Sequence, residues 1–170
     1  MVKELLKIVY NKQIALDTFE MKLETTLMAK LAKPGMFINI SLNDASKLLK
    51  RPISICQIDN DNLVITYKIN GEGTKLLSTY ISNTFIEAIG PLGNGFTLVE
   101  NKKTLIVGGG IGVPPLLELA RNLKQLNNEL TIILAFRNIE SMIYLEEFKK
   151  LGNVIVTTDD GSYGFKGNAI

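Results

Sequence analysis

The chain has 170 residues, enough for one domain or for two small ones tightly packed. It is 46% hydrophobic and 21% charged, a globular mix, and its net charge of +2 (19 basic, 17 acidic residues) gives no reason to invoke nucleic acid or an anionic membrane as a partner. The absence of histidine excludes a histidine base or a His-ligated metal, and a single cysteine, Cys56, excludes a disulfide framework, a zinc site or an iron–sulfur cluster built from this chain's own thiols. Residues 1–14 lack the apolar core of a signal peptide and no apolar run is long enough to span a bilayer, so the expectation is a soluble, cytoplasmic protein.

Residues 1–98 read as mainly β. Residues 5–15 suit a first strand. Residues 18–27 alternate, with Phe19, Met21, Leu23 and Thr25 on one side and Glu20, Lys22 and Glu24 on the other, the period of a half-buried strand. Lys33-Pro34-Gly35 signals a turn into a strand at 36–40. A polar loop, or a short helical turn, covers 42–50. A strand at 51–56 has Pro52 near its start, where proline is tolerated. Residues 59–62 form a hairpin-like turn into a strand at 63–69. Residues 74–80 suit a short helix with Thr74 near its cap, 84–89 another strand, and 90–96 a glycine-rich loop. Short strands with closely spaced turns predict an antiparallel barrel or sandwich.

The pattern changes after about Val99. A strand at 104–107 leads to a helix at 114–126, whose Leu116, Leu119, Ala120 and Leu123 share one face. A strand at 130–136, a helix at 139–150 and a strand at 154–158 follow. This alternation predicts a parallel sheet with right-handed crossovers. The polar break at 100–102 marks the expected boundary between a domain at 1–99 and a second at 100–170. Only three parallel strands are predicted where a doubly wound sheet commonly has five or six. The expectation is therefore an incomplete α/β domain: a fragment of a longer chain, or a natural form lacking the usual end.

The stretch at 103–115, KTLIVGGGIGVPP, joins a buried strand to a helix through Gly108, Gly109, Gly110 and Gly112. Glycines allow a sharp turn and close approach to a ligand, while the helix start offers unpaired N–H groups suited to phosphate. Pro114 and Pro115 fit a first helical turn. The run departs from the G-x-G-x-x-G fingerprint by a proline at the third glycine place, and it is not a P-loop. A plain strand–helix turn is the alternative; three adjacent glycines, each costing conformational entropy, favour a ligand. Arg137 suits a 2′-phosphate or a ribose hydroxyl as readily as solvent. Arg51, at a strand edge, could hold a pyrophosphate through its planar fork, with Ser54 placing a hydroxyl near a polar ring atom; an exposed arginine at a strand entry is the plain reading. Gly71-Glu72-Gly73-Thr74 is a second phosphate candidate or a simple turn, Tyr67 could cover an aromatic ring or pack in the barrel, and Cys56 reads as a small buried hydrophobe.

Taken together and in order, RPIS, YKINGEGT, GPLGNGF and VGGGIGVPP closely resemble the ferredoxin reductase family of flavoproteins. Within it, RPISIC, GEGTKLLS, GPLGNGF, GGGIGVPPLLELA and TDDGSYG are similar to the electron-transfer subunits of two-subunit, NAD-dependent dihydroorotate dehydrogenases. The resemblance runs over essentially the whole chain. It implies an antiparallel FAD-binding β-barrel followed by a parallel α/β NAD-binding domain. The run Arg51, Pro52, Ile53 and Ser54 would hold the flavin, with Arg51 on its phosphates and Ile53 and Ser54 beside the isoalloxazine ring. Thr66, Tyr67 and Lys68 would line the cofactor, and Gly73 and Thr74 would cradle its pyrophosphate. Gly108, Gly109, Gly110 and Gly112 would bind NAD, with Asp159, Asp160 and Gly161 near the nicotinamide side. No side chain is expected to be catalytic, and none to bind a metal. The family also implies a [2Fe-2S] cluster held by cysteines of a C-terminal segment; those cysteines are absent from this chain. The implied partner is an FMN-containing catalytic subunit, which would oxidise dihydroorotate in pyrimidine biosynthesis. A generic NAD(P)H-dependent flavin or ferredoxin reductase subunit is the alternative enzyme, and a flavin-binding scaffold without activity is the alternative of another class.

Overall fold

A computed structural model describes residues 1–44, 46 and 48–168. They fall into two compact units, Met1–Phe96 and Thr97–Ile170. The first is a closed six-stranded barrel of β1 (Val2–Ala15), β2 (Thr18–Glu24), β3 (Phe37–Ser41), β4 (Arg51–Asp59), β5 (Asn62–Lys68) and β6 (Phe85–Leu92). Its order is β1-β2-β5-β4-β3-β6, and every pairing is antiparallel. Closure removes the exposed edges that an open sandwich would leave. The core is aliphatic, with Leu6, Ile8, Met21, Leu23, Ile55 and Ile65 fully buried. Each such side chain contributes roughly 1.5–3 kcal/mol.

β1 is long because it closes the barrel. Its first half pairs with β6 and its second with β2. Between Ile8 and Tyr10 the register slips, so Ile8 faces Leu23 while Asn11, not Tyr10, faces Met21. This bulge switches the inward positions from even to odd numbers. Tyr10 and Lys12 therefore share the outer face with Glu20, whose carboxylate accepts from the Tyr10 hydroxyl at 2.9 Å and pairs with Lys12 at 3.1 Å. Glu20 lies opposite Met21's side, as its alternation predicts, yet it is buried because those two long side chains close over it.

The strand predicted over 18–27 ends at Glu24, since the Thr25 hydroxyl accepts from the Ala29 N–H and starts a short helix, α1 (Met28–Leu31). The helix expected at 74–80 begins two residues earlier, as α2 (Glu72–Ser78), with Gly71 at its cap. β6 continues through the Gly90–Pro91 cis bond to Leu92, where only a loop was expected, because it pairs with both β1 and β3 to shut the barrel. The polar loop at 42–50 carries no helix among its described residues, and Ala45 and Lys47 lie outside them.

The second unit is a four-stranded parallel sheet, order β10-β9-β8-β7, built from β7 (Lys103–Gly109), β8 (Glu129–Phe136), β9 (Asn153–Thr158) and β10 (Phe165–Lys166). β10 is a strand that the sequence did not announce: two residues pairing with Thr157 and Thr158. α3 (Pro115–Gln125) follows β7 through a 3₁₀ turn at Gly110–Gly112. The single helix expected at 139–150 is instead a 3₁₀ turn, Ile139–Ser141, and α4 (Leu145–Lys149). Asn138 and Ser141 cap each other reciprocally and close the first turn; Tyr144 then takes a left-handed φ of 60° as Ile143 and Tyr144 are buried. Among the described residues β7 pairs on one side only, and its Leu105 and Val107 are exposed. No helix is long and apolar enough to cross a membrane among those residues.

Candidate cofactor-binding sites

In the barrel unit, Arg51 opens β4 and lies at the start of α2. Its guanidinium donates to the Leu49 carbonyl and rests against Gly73, where a Cβ would overlap its Nε and Nη2 atoms. Two motifs, RPIS and GEGT, thus meet at one point through Arg51 and Gly73, and only glycine at position 73 leaves room for them to do so. Arg51 is half-buried and keeps much of its donor fork for a ligand. Thr74 is a turn-builder: its hydroxyl accepts from the Asn70 N–H at 2.7 Å and donates to the Gly71 carbonyl at 3.3 Å.

Along β4, Ile53 and Ile55 are buried in the core, so Pro52 and Ser54 lie on the outer face. Along β5, Tyr67 is buried, stacks on Phe19 with ring centroids 5.9 Å apart and donates its hydroxyl to Asn11 at 2.9 Å. Burial pushes the Tyr67 phenol well above its usual range, keeping it a neutral donor. Tyr67 therefore packs in the barrel, while Thr66 and Lys68 take the outer positions on either side of it. Asn11 carries no motif and was invisible in the sequence, because the bulge that turns it inward is a pairing property.

In the second unit, the parallel register aligns Gly109 with Ala135 and Ala135 with Thr157. The glycine turn, the 137–138 segment and the 159–161 loop therefore gather at the carboxyl rim of the sheet, where ligands bind in open α/β sheets. The glycines there differ in role. A Cβ at Gly108 would come 2.5 Å from Leu116, so this glycine serves strand–helix packing. Gly110 has φ +51° and, like Gly112, open space where a side chain would stand. Their bare backbone lies exposed just ahead of α3, with Pro115 in its first turn. This fits a diphosphate that needs close backbone approach. The Thr157 hydroxyl, in the same row as Gly109, is buried with no hydrogen-bond partner among the described residues.

Asp159 is exposed, with its N–H on the Phe136 carbonyl at 3.1 Å. Asp160 builds the loop: one carboxylate oxygen accepts from the Ser162 hydroxyl at 2.6 Å and the Ser162 N–H at 2.9 Å, and these bonds hold its carboxyl below the usual range. Ser162 in turn accepts from the Ile139 N–H at 2.9 Å, tying this loop to the 3₁₀ turn after β8; it lies within the TDDGSYG run, which gave it no role of its own. Gly161 and Gly164 have φ of +78° and +67°. Among the described residues no group of three or more His, Cys, Asp or Glu side chains could hold a metal ion.

No family model matches the chain. It is 43% identical over 171 residues to the dihydroorotate dehydrogenase B (NAD⁺) electron transfer subunit of Streptococcus mutans, covering 98% of this chain and 66% of that one. To the subunit of the same name from Streptococcus pneumoniae it is 42% identical over 168 residues, covering 96% of this chain and 67% of that one. This chain belongs to the family of dihydroorotate dehydrogenase B electron transfer subunits. It spans about two thirds or slightly less of its relatives' length; for the Fusobacterium nucleatum subunit, 44% identical, the share is 63%. Among solved structures, an NADH-dependent reduced ferredoxin-NADP oxidoreductase superposes with a TM-score of 0.88 at 31% identity, over 96% of this chain and 60% of that one. Phthalate dioxygenase reductase, at 22% identity and a TM-score of 0.75 over 94% of this chain and 52% of that one, shares the fold. The barrel and the parallel sheet with its helices are those of the ferredoxin reductase-like fold.

Proposed function

We propose that this chain binds FAD in residues 1–99 and NAD in residues 100–170, and passes electrons between a dihydroorotate-oxidising catalytic subunit and NAD⁺ in the cytoplasm. The observation that carries the reading is the Arg51 guanidinium seated on Gly73, a cationic fork on bare backbone of the kind a diphosphate requires. The names of the curated relatives support the partner and the nicotinamide. Bound FAD would supply the two-electron and one-electron chemistry. The chain's own residues would bind and orient. Arg51 would neutralise the flavin diphosphate, Gly73 and Thr74 would shape its seat, and Pro52 and Ser54 would present the outer face of β4 to the ring, with Ile53 offering its backbone, Thr66 and Lys68 beside them on β5, and Tyr67 supporting that strand from the core. Gly108, Gly109, Gly110 and Gly112 would admit the nicotinamide dinucleotide, with Asp159, Asp160 and Gly161 along the same rim. Hydride transfer needs no side-chain acid or base, in keeping with a chain that has no histidine.

A [2Fe-2S] cluster does not fit these residues: the only thiol, Cys56, is fully buried in the barrel wall. No cluster is assigned to this chain.

Purified protein is expected to be yellow, with an FAD spectrum bleached by NADH, and to co-purify with an FMN-containing, dihydroorotate-oxidising subunit. Colourless protein that takes up no added FAD would sink the reading. The likeness to a ferredoxin-NADP oxidoreductase favours one second reading, a subunit serving another redox partner; an FAD protein that co-purifies with a different oxidoreductase would select it.

A further inference from the structure

We infer that Asn11 is a positioning residue of the flavin site, locking α2 onto the barrel and so fixing the seat of the Arg51 guanidinium. This rests on the FAD reading above. α2 has seven residues, too few to be stable alone. At its end the Leu76 and Leu77 carbonyls accept from the Thr79 and Tyr80 N–H groups, while the carbonyls of Ser78 and of Tyr80, just past the helix, turn to a side chain. Asn11 supplies it from β1: its Nδ2 group donates to the carbonyls of Tyr80 at 2.9 Å, Leu77 at 3.1 Å and Ser78 at 3.4 Å. Two N–H bonds thus serve three acceptors, with one shared. The remaining amide oxygen accepts the Tyr67 hydroxyl at 2.9 Å. One side chain therefore ties the end of α2 to Tyr67, joining the helix whose start seats Arg51 to the strand whose outer positions would line the cofactor. Leu77, fully buried in the barrel core, seats the same turn. The bulge after Ile8 makes this possible by turning Asn11, rather than its neighbours, toward the barrel end. An apolar residue there would extend the core but release the carbonyls of 78 and 80.

The test compares the full chain with Asn11→Ala by FAD titration and by hydrogen exchange. The variant is expected to bind FAD at least tenfold more weakly. Exchange at the amides of Lys75, Thr79 and Tyr80, which bond within α2, should rise while the amides of β2 and β5 stay protected. Asn128→Ala, which removes a buried amide of the other unit, serves as the stability control and should leave FAD affinity within twofold. FAD affinity within twofold of the native value in Asn11→Ala, or weaker binding with α2 exchange unchanged, overturns the inference. If Asn11→Ala does not fold, Asn11→Ser, which keeps one donor, carries the same comparison. Native protein that binds no FAD counts against the flavin reading instead, and the exchange of α2 still reports whether Asn11 holds it.

Discussion

Arg51 and Gly73 illustrate how one residue gains meaning from another. By spacing alone Arg51 is an exposed arginine at a strand entry; resting on Gly73 it becomes a cation held over bare backbone. Replacing Arg51 by Ala is expected to raise the FAD dissociation constant about 10- to 100-fold, since hydrogen bonds to charged groups contribute about 1.5–3 kcal/mol. Fluorescence titration reads this directly, and an unchanged constant would remove Arg51 from the phosphate role. Gly110 makes the complementary case. At φ +51° a side chain costs about 1–2 kcal/mol, but it would project into open space. Gly110→Val should therefore fold and bind FAD, yet lose most NADH-driven flavin reduction in stopped-flow. Normal turnover would argue against nucleotide binding at this turn.

Elements here owe their boundaries to what they pair with. β6 runs on through Gly90 and Pro91 because β1 and β3 both need it, and Glu87 marks that seam. Its carboxylate meets Lys3 of β1 at 2.6 Å, the Ser41 hydroxyl of β3 at 3.0 Å and Lys50 at 3.3 Å. Led by the Lys3 contact, these lower its pKa from 4.5 to about 2. A carboxyl depressed in the folded state stabilises the fold fully above the unfolded value. That contribution fades as pH falls from about 4.5 toward 2. Glu87→Gln should thus be slightly less stable than the native protein at pH 7, the two converging near pH 2. Urea midpoints across this range test it; the effect is small because the pair is exposed and salt-screened.

For the whole molecule, the expectation concerns linkage. A ligand that binds only the folded chain raises its stability by RT ln(1 + [L]/Kd), about 2.7 kcal/mol at a hundredfold excess over Kd. Added FAD should therefore raise the thermal midpoint of the apoprotein by several degrees and sharpen its unfolding, with riboflavin, which lacks the diphosphate, giving much less. Equal shifts from the two flavins would show that the Arg51–Gly73 seat contributes nothing.

Much of this was legible in the sequence because local chemistry writes it there. Alternation in β2, the turn signals at 33–35 and 59–62, and the strand–glycine–proline run at 103–115 each encode a conformation that neighbours along the chain determine. The motifs RPIS, GEGT and VGGGIGVPP named the candidate residues for the same reason. Other features depend on groups far apart in sequence, and only the tertiary structure decided them. Closure into a barrel is a matter of strand register. The burial of Glu20 and the inward turn of Asn11 follow from a one-residue slip between β1 and β2. The break in the helix expected at 139–150 comes from burying Ile143 and Tyr144, and β10 exists only because β9 is beside it. Arg51's place on Gly73 belongs to the same class: the sequence supplies a cation and a missing side chain, and folding makes them one seat.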